Sequence, residues 1–273
     1  MISYPIQAGD LTTRVLEAGA GDRNVLFIHG LGARADRWGA TVKRYALHGY
    51  RSFAFDLPGH GFADKGEGRQ YTVPEFARVT RALMDQLSLR TAAIVGTSLG
   101  AHVAAHATLA EPSRIRGLVL VGAVGLAPLD ENSRRAIRDN ITRTDRADIE
   151  RKLKFVLADP GLVTDVWVEE EWRINTSPGA TAAFEALGRY FVDGLPNDEI
   201  GEQMRAIVQR VPTCLIWGKE DRAVPVAVGK TVAELLGGVP LHLIADAGHA
   251  PYFEQPDAFD AVALPFLDTL PWN

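Results

Sequence analysis

The residues best placed to do chemistry begin with Ser98, in the run Gly96-Thr97-Ser98-Leu99-Gly100. An apolar stretch, Thr91–Val95, precedes it, and a helical pattern, Ala101–Leu109, follows. A serine on a sharp turn between strand and helix has a strained backbone that exposes its hydroxyl. Such a turn needs small residues two positions to either side, and glycine stands at both. The helix behind it offers free backbone N–H groups and the positive end of its dipole. The competing reading is a turn serine whose hydroxyl caps that helix.

A serine hydroxyl is a weak nucleophile until a base takes its proton. Of the seven histidines, His249 in Asp246-Ala247-Gly248-His249-Ala250-Pro251 directly follows the last apolar run, Leu241–Ala245. Reactive groups in open α/β sheets gather at the carboxyl ends of strands. His249 is therefore expected on the same rim as Ser98, not in an unrelated surface loop. Such a base needs a carboxylate to fix its tautomer and stabilise the imidazolium. The segment Trp217-Gly218-Lys219-Glu220-Asp221-Arg222 follows another apolar run, Thr213–Trp217, and offers Asp221, with Glu220 as the alternative.

These side chains need a framework. Short unbroken apolar runs at Asn24–Ile28, Ser52–Phe55, Thr91–Val95, Leu118–Val121, Thr213–Trp217 and Leu241–Ala245 read as parallel strands buried on both faces. Leu11–Glu17 reads as an antiparallel edge strand. Between the runs lie helical patterns, the clearest over Val73–Leu87, with Thr72 as N-cap, Glu75 completing a capping box and Pro74 in the first turn. Alternating strands and helices predict an α/β class with an open, mostly parallel sheet and helices on both faces. From Leu129 to Arg210 no strand is legible. That stretch reads as short helices broken at Asp159-Pro160-Gly161, Ser177-Pro178-Gly179 and Gly194-Leu195-Pro196. The expected division is a core of residues 1–128 and 211–273 carrying a helical cap of residues 129–210.

Composition narrows the field. The chain has 273 residues, 47% hydrophobic and 23% charged, which is ordinary for a globular protein. With 29 basic and 34 acidic side chains its net charge is −5, against the basic face of a nucleic-acid binder. The single Cys214 excludes an intrachain disulfide and reads as a small core residue. No signal peptide or membrane span is legible, so the expected location is the cytoplasm and the expected partner a small-molecule substrate. His102 and His106, four apart on one helix, lack a third ligand, so neither a metal nor another cofactor is expected. His29 is expected to shape a loop, His60 to line a glycine-rich turn, and Trp38 and Trp217 to pack in the core or rim.

In its motifs the chain resembles the α/β-hydrolase-fold proteins over essentially its whole length. The matching pieces are His29-Gly30-Leu31-Gly32, Asp56-Leu57-Pro58-Gly59-His60-Gly61, Gly96-Thr97-Ser98-Leu99-Gly100, Gly218-Lys219-Glu220-Asp221 and Gly248-His249, with the chain order Ser…Asp…His. The resemblance implies Asp221, not Glu220, as the acid, and an oxyanion hole from the backbone N–H groups of Leu31 and Leu99. A serine nucleophile sets the chain apart from the epoxide hydrolases and haloalkane dehalogenases, which use aspartate there. The segment Trp172-Arg173-Ile174-Asn175-Thr176-Ser177-Pro178-Gly179 resembles the cap of meta-cleavage-product hydrolases. That likeness implies Arg173 as a ligand for a substrate carboxylate, the bland alternative being an exposed arginine paired with Glu169 or Glu170. The expected activity is serine-dependent hydrolysis of a small ester, or of a C–C bond next to a carbonyl. The rivals are a ligand-binding protein on the same scaffold and a cofactor-free oxygenase or haloperoxidase.

Overall fold

The computed structural model describes residues 1–66 and 68–272. In chain order the elements are β1 (Ile2–Ala8), β2 (Leu11–Ala18), β3 (Asn24–Ile28), α1 (Gly39–Leu47), β4 (Arg51–Phe55), α2 (Val73–Gln86), β5 (Ala92–Thr97), α3 (Leu99–Ala110) and β6 (Ile115–Val121). There follow α4 (Glu131–Thr142), α5 (Arg146–Val156), α6 (Asp165–Asn175), α7 (Ala180–Asp193) and α8 (Gly201–Ile207). The chain ends with β7 (Thr213–Gly218), α9 (Val226–Leu235), β8 (Leu241–Ile244), α10 (Pro251–Glu254) and α11 (Pro256–Asp268). The strands form one eight-stranded sheet in the order β1-β2-β4-β3-β5-β6-β7-β8. It is parallel from β4 to β8 and antiparallel where β1 meets β2 and β2 meets β4.

The central strands β5 and β7 are buried at every position, which is why they read as unbroken apolar runs. Two apolar clusters lie in the core. One joins Leu26, Phe53 and Ile94 to α2 and α3, and the other joins Phe27, Val95 and Cys214 to Trp38 and α11. Consecutive strand residues thus alternate between two buried faces. Cys214 is a core residue of β7, and burial pushes its thiol up to about 12.

Three local expectations are corrected. The run at Leu241 forms β8, an edge strand with His242 and Leu243 exposed, not a strand buried on both faces. The strand at Leu11 is antiparallel but internal, because β1 covers its outer side from Ile2↔Glu17 to Ala8↔Leu11. β1 is mostly exposed, so no apolar alternation betrays it. In α2, Thr72 Oγ1 accepts from the Glu75 amide at 3.4 Å, but the Glu75 carboxylate does not reach back to complete a capping box. It binds Arg78 one turn on, at 2.6 and 2.7 Å.

Between β6 and β7 the described residues form helices and connections only. Each expected break falls between helices. Asp159 accepts from Gly161 N–H at 2.8 Å in a short 3-10 turn, Gly179 with φ +82° precedes α7, and α7 ends at Asp193. α4 packs on α7, whereas α8 packs on α3 and α9 beneath. Together α4 to α7 contribute walls to a cavity of about 210 Å³ whose floor is the loops after β3 and β5.

Candidate active site

Ser98 joins β5 to α3 with φ +54° and ψ −119°, a left-handed backbone that a non-glycine residue adopts at a cost of order 1–3 kcal/mol. Its amide donates to the Val121 carbonyl of the neighbouring strand at 2.8 Å. The flanking glycines are required by space. A Cβ on Gly96 would lie 2.3 Å from the Gly100 carbonyl oxygen, and one on Gly100 2.4 Å from that of Ile28. The Ser98 hydroxyl makes no capping bond to α3. The turn therefore does not use it as a helix cap, and Ser98 lines the cavity.

His249 lines the same cavity, in the loop after β8. Its Nδ1 lies 2.7 Å from Asp221 Oδ2. The other Asp221 oxygen accepts from the amides of Ala223 at 2.9 Å and Val224 at 2.8 Å, which fix the carboxylate. The Glu220 carboxylate takes the Ala247 amide at 3.0 Å instead. Asp221, not Glu220, is therefore the carboxylate in contact with His249. Burial opposes the imidazolium, but the Asp221 charge and hydrogen bond outweigh it and hold the His249 pKa above the ordinary 6.5.

Leu31 lines the cavity in the loop after β3. That loop is pressed on the serine, since a Cβ on Gly30 would stand 3.2 Å from Ser98 Cβ. Leu99 is the first residue of α3, where backbone N–H groups lack partners within the helix. His29 braces the loop. It accepts from the Leu57 amide through Nε2 at 2.9 Å and donates through Nδ1 to the Gly30 carbonyl at 2.8 Å. Burial pushes its pKa down to about 4, so it is neutral. His60 is buried near Phe184 and does not line the cavity. His102 and His106 both point Nε2 at the Asp198 carbonyl, each at 2.8 Å. Among the described residues no three His, Cys, Asp or Glu side chains group as metal ligands. No helix among them is long and apolar enough to cross a membrane.

Arg173 is not brought to the cavity. Its side chain is 73% exposed on α6, and Nε donates to Glu169 at 2.8 Å, one turn back. The face of α6 that turns inward carries Glu171 and Asn175, and Arg173 falls between them on the outer side. The cations in the cavity wall are Lys152 of α5 and Arg37. Lys152 donates to the Arg143 carbonyl, and burial pushes its amine down to about 8. Arg37 stacks over Trp167, 4.2 Å from the ring centre, and its Nη2 lies 3.8 Å from Glu171. Glu171 is buried against Arg34. Nothing in the sequence reading had singled out these two cations, because they lie on separate elements and neither follows a strand.

The chain belongs to the α/β-hydrolase-fold family, whose pattern matches residues 23–256. It is 27% identical over 275 residues to a 2-hydroxymuconate semialdehyde hydrolase of Pseudomonas sp., covering 97% of this chain and 94% of that protein. A solved meta-cleavage product hydrolase of Pseudomonas fluorescens superimposes with a TM-score of 0.84 at 26% identity, covering 97% of each chain. The acetyltransferase component of the acetoin cleaving system of Cupriavidus necator is 28% identical over 253 residues. That match covers 92% of this chain but 65% of that protein.

Proposed function

We propose that the protein is a serine hydrolase that cleaves a bond next to a carbonyl through an acyl-enzyme. The observation that carries the reading is the 2.7 Å contact between His249 Nδ1 and the fixed Asp221 carboxylate, on the cavity that Ser98 lines. His249 Nε2 removes the Ser98 proton as the hydroxyl oxygen attacks the carbonyl carbon. Asp221 holds the tautomer and stabilises the imidazolium, which then protonates the leaving group. The N–H groups of Leu31 and Leu99 hold the oxyanion, each such donor being worth roughly 10²–10³ in rate. Water, deprotonated by His249, then releases the acyl group. Residues 129–210 act as the cap, and residues 1–128 with 211–273 as the catalytic core.

The substrate class we favour is a C–C bond next to a carbonyl in an acid of the dienoate type. The hydrolases named above, matched over nearly their full length, support it. In this chain Lys152 and Arg37, not Arg173, supply the positive charge for a carboxylate. A small ester is the second reading, favoured by the apolar walls at Ile141, Leu153 and Val156. The test is a paired assay on wild type and Ser98→Ala, one arm following p-nitrophenol release and the other the loss of dienoate absorbance. Ser98-dependent loss of the dienoate with slow ester cleavage is expected. Fast ester cleavage with an inert dienoate would give the second reading, and turnover at the wild-type rate in Ser98→Ala would sink both.

A further inference from the structure

The loop that carries His249 is tied to the last turn of α5, far away in sequence. The His249 amide donates to the Val156 carbonyl at 2.7 Å. One Glu254 carboxylate oxygen accepts from the amides on either side of His249, Gly248 at 2.9 Å and Ala250 at 3.2 Å. The other accepts from the Ala158 amide at 2.6 Å. Arg222 donates to the Lys154 carbonyl at 3.2 Å and to that of Leu157. The two backbones touch so closely that a Cβ on Gly248 would lie 2.6 Å from the Val156 carbonyl oxygen and 2.8 Å from the Ala158 nitrogen.

We propose that Glu254 is a positioning residue for His249. Its carboxylate fastens the backbone on both sides of the base to the end of α5, so the base stands in register only while that helix is docked. This rests on the reading of Ser98 and His249 given above. A glutamate near a helix start, reaching back to one amide, would explain the Ala250 bond alone. It would not explain the bond to Gly248, beyond the base, or the bond to Ala158, on a distant stretch of backbone. A carboxylate accepting three N–H bonds forms charge-assisted links stronger than neutral ones. A glutamine of the same size must turn an amide nitrogen toward one of those donors and lose at least one link.

The mechanism depends on His249 standing within hydrogen-bond reach of the Ser98 hydroxyl, where a displacement of about 1 Å can cost on the order of 10²-fold. The experiment measures kcat, KM and backbone deuterium exchange for Glu254→Gln and, separately, for Ala158→Pro, which removes the N–H on the α5 side and sets the proline ring against the Glu254 carboxylate. For Glu254→Gln, kcat should fall roughly 10- to 100-fold with KM within about twofold. Exchange should quicken in the peptide spanning residues 246–250, with the core strands still protected. Ala158→Pro should show the same signature at smaller size. A kcat within twofold of wild type in Glu254→Gln, with unchanged exchange, overturns the proposal. A wild-type Ala158→Pro overturns the link to α5. A loss of kcat matched by loss of protection throughout the sheet overturns the positioning role, because it reports global destabilisation. Ser98→Ala separates this inference from its premise: if that variant is inactive and Glu254→Gln is not, only the inference falls.

Discussion

Gly122, just past β6, faces the edge of the His249 ring. A Cβ on it would stand 3.0 Å from both Cε1 and Nδ1 of the imidazole and 3.3 Å from an Asp221 carboxylate oxygen. Its φ is +52°, so both space and backbone call for glycine. Gly122→Ala should lower kcat about 10- to 100-fold while leaving KM near wild type, since a displaced base is felt in the transition state. The strained backbone should add roughly 1–2 kcal/mol of destabilisation. Steady-state kinetics beside a urea melt check both, and an unchanged kcat would show that the ring has room to move.

The raised His249 pKa gives the acid side of the rate profile a direction. The base must be neutral to accept the serine proton, so kcat/KM should fall on acidification with a midpoint above the ordinary imidazole value of about 6.5. Asp221→Asn should move that midpoint down and cut kcat on the order of 10⁴-fold, as the ring loses its tautomer control. The same shift acts on stability. Because the folded pKa is raised, the Asp221–His249 pair stabilises the fold fully below about pH 6.5, and that contribution is lost as pH rises through the folded value. Asp221→Asn should therefore narrow the stability difference between pH 6 and pH 8, measured by denaturant titration.

Lys152 offers a test of charge at the cavity wall. Lys152→Met keeps the length and removes the charge. It should raise KM for a dienoate acid roughly tenfold or more, the worth of a hydrogen bond to a charged group being about 1.5–3 kcal/mol. A neutral p-nitrophenyl ester should be almost indifferent. Arg173→Ala, on the outer side of α6, should leave both substrates within about twofold. A tenfold effect of Arg173→Ala on the dienoate alone would return the carboxylate to that residue.

Three buried histidines predict weakness to acid. Burial lowers His29 to about 4 and both His60 and His102 to about 3. A group whose folded pKa lies below its unfolded one contributes stability above the unfolded value, here about 6.5. That stability drains away as pH falls toward the folded values. Stability to urea should drop between pH 6.5 and 4, and His102→Gln should flatten the slope. A slope unchanged by that substitution would mean that His102 titrates normally.

The candidate trio was legible because each member follows an apolar run; β5 and β7, buried at every position, announce themselves, and the half-exposed edge strand β8 still shows Leu241, Leu243 and Ile244. Ser98, Asp221 and His249 sit after β5, β7 and β8, so locating the strands located the side chains. The sequence left Arg173 between a carboxylate ligand and an exposed partner of Glu169 or Glu170; the structure shows the pairing with Glu169, and which face of α6 turns inward decides it. Glu171, a charged residue that would ordinarily mark a solvent face, is buried by Arg34. The polar pattern therefore points the wrong way round the helix. Glu254 escaped notice for another reason. Its partners are backbone amides, one of them 96 residues away, and amides carry no residue-type signal. β1 was hidden because most of its side chains are exposed.

The register Leu118↔Thr213 to Val121↔Ile216 brings the two ends of a long excursion side by side. The chain leaves the sheet at β6 and re-enters it on the adjacent strand. Closing a loop costs free energy that grows only with the logarithm of its length, about 0.6 kcal/mol per doubling. Additions within α4 to α7 thus burden the sheet little, and deletions relieve it little. What a pocket admits can drift by insertion and trimming there, while the strands that carry serine, aspartate and histidine stay paired. The molecule is in this sense modular in part: the cavity walls on α4, α6 and α7 sit on a stretch free to change in length, whereas the end of α5 is tied to the His249 loop.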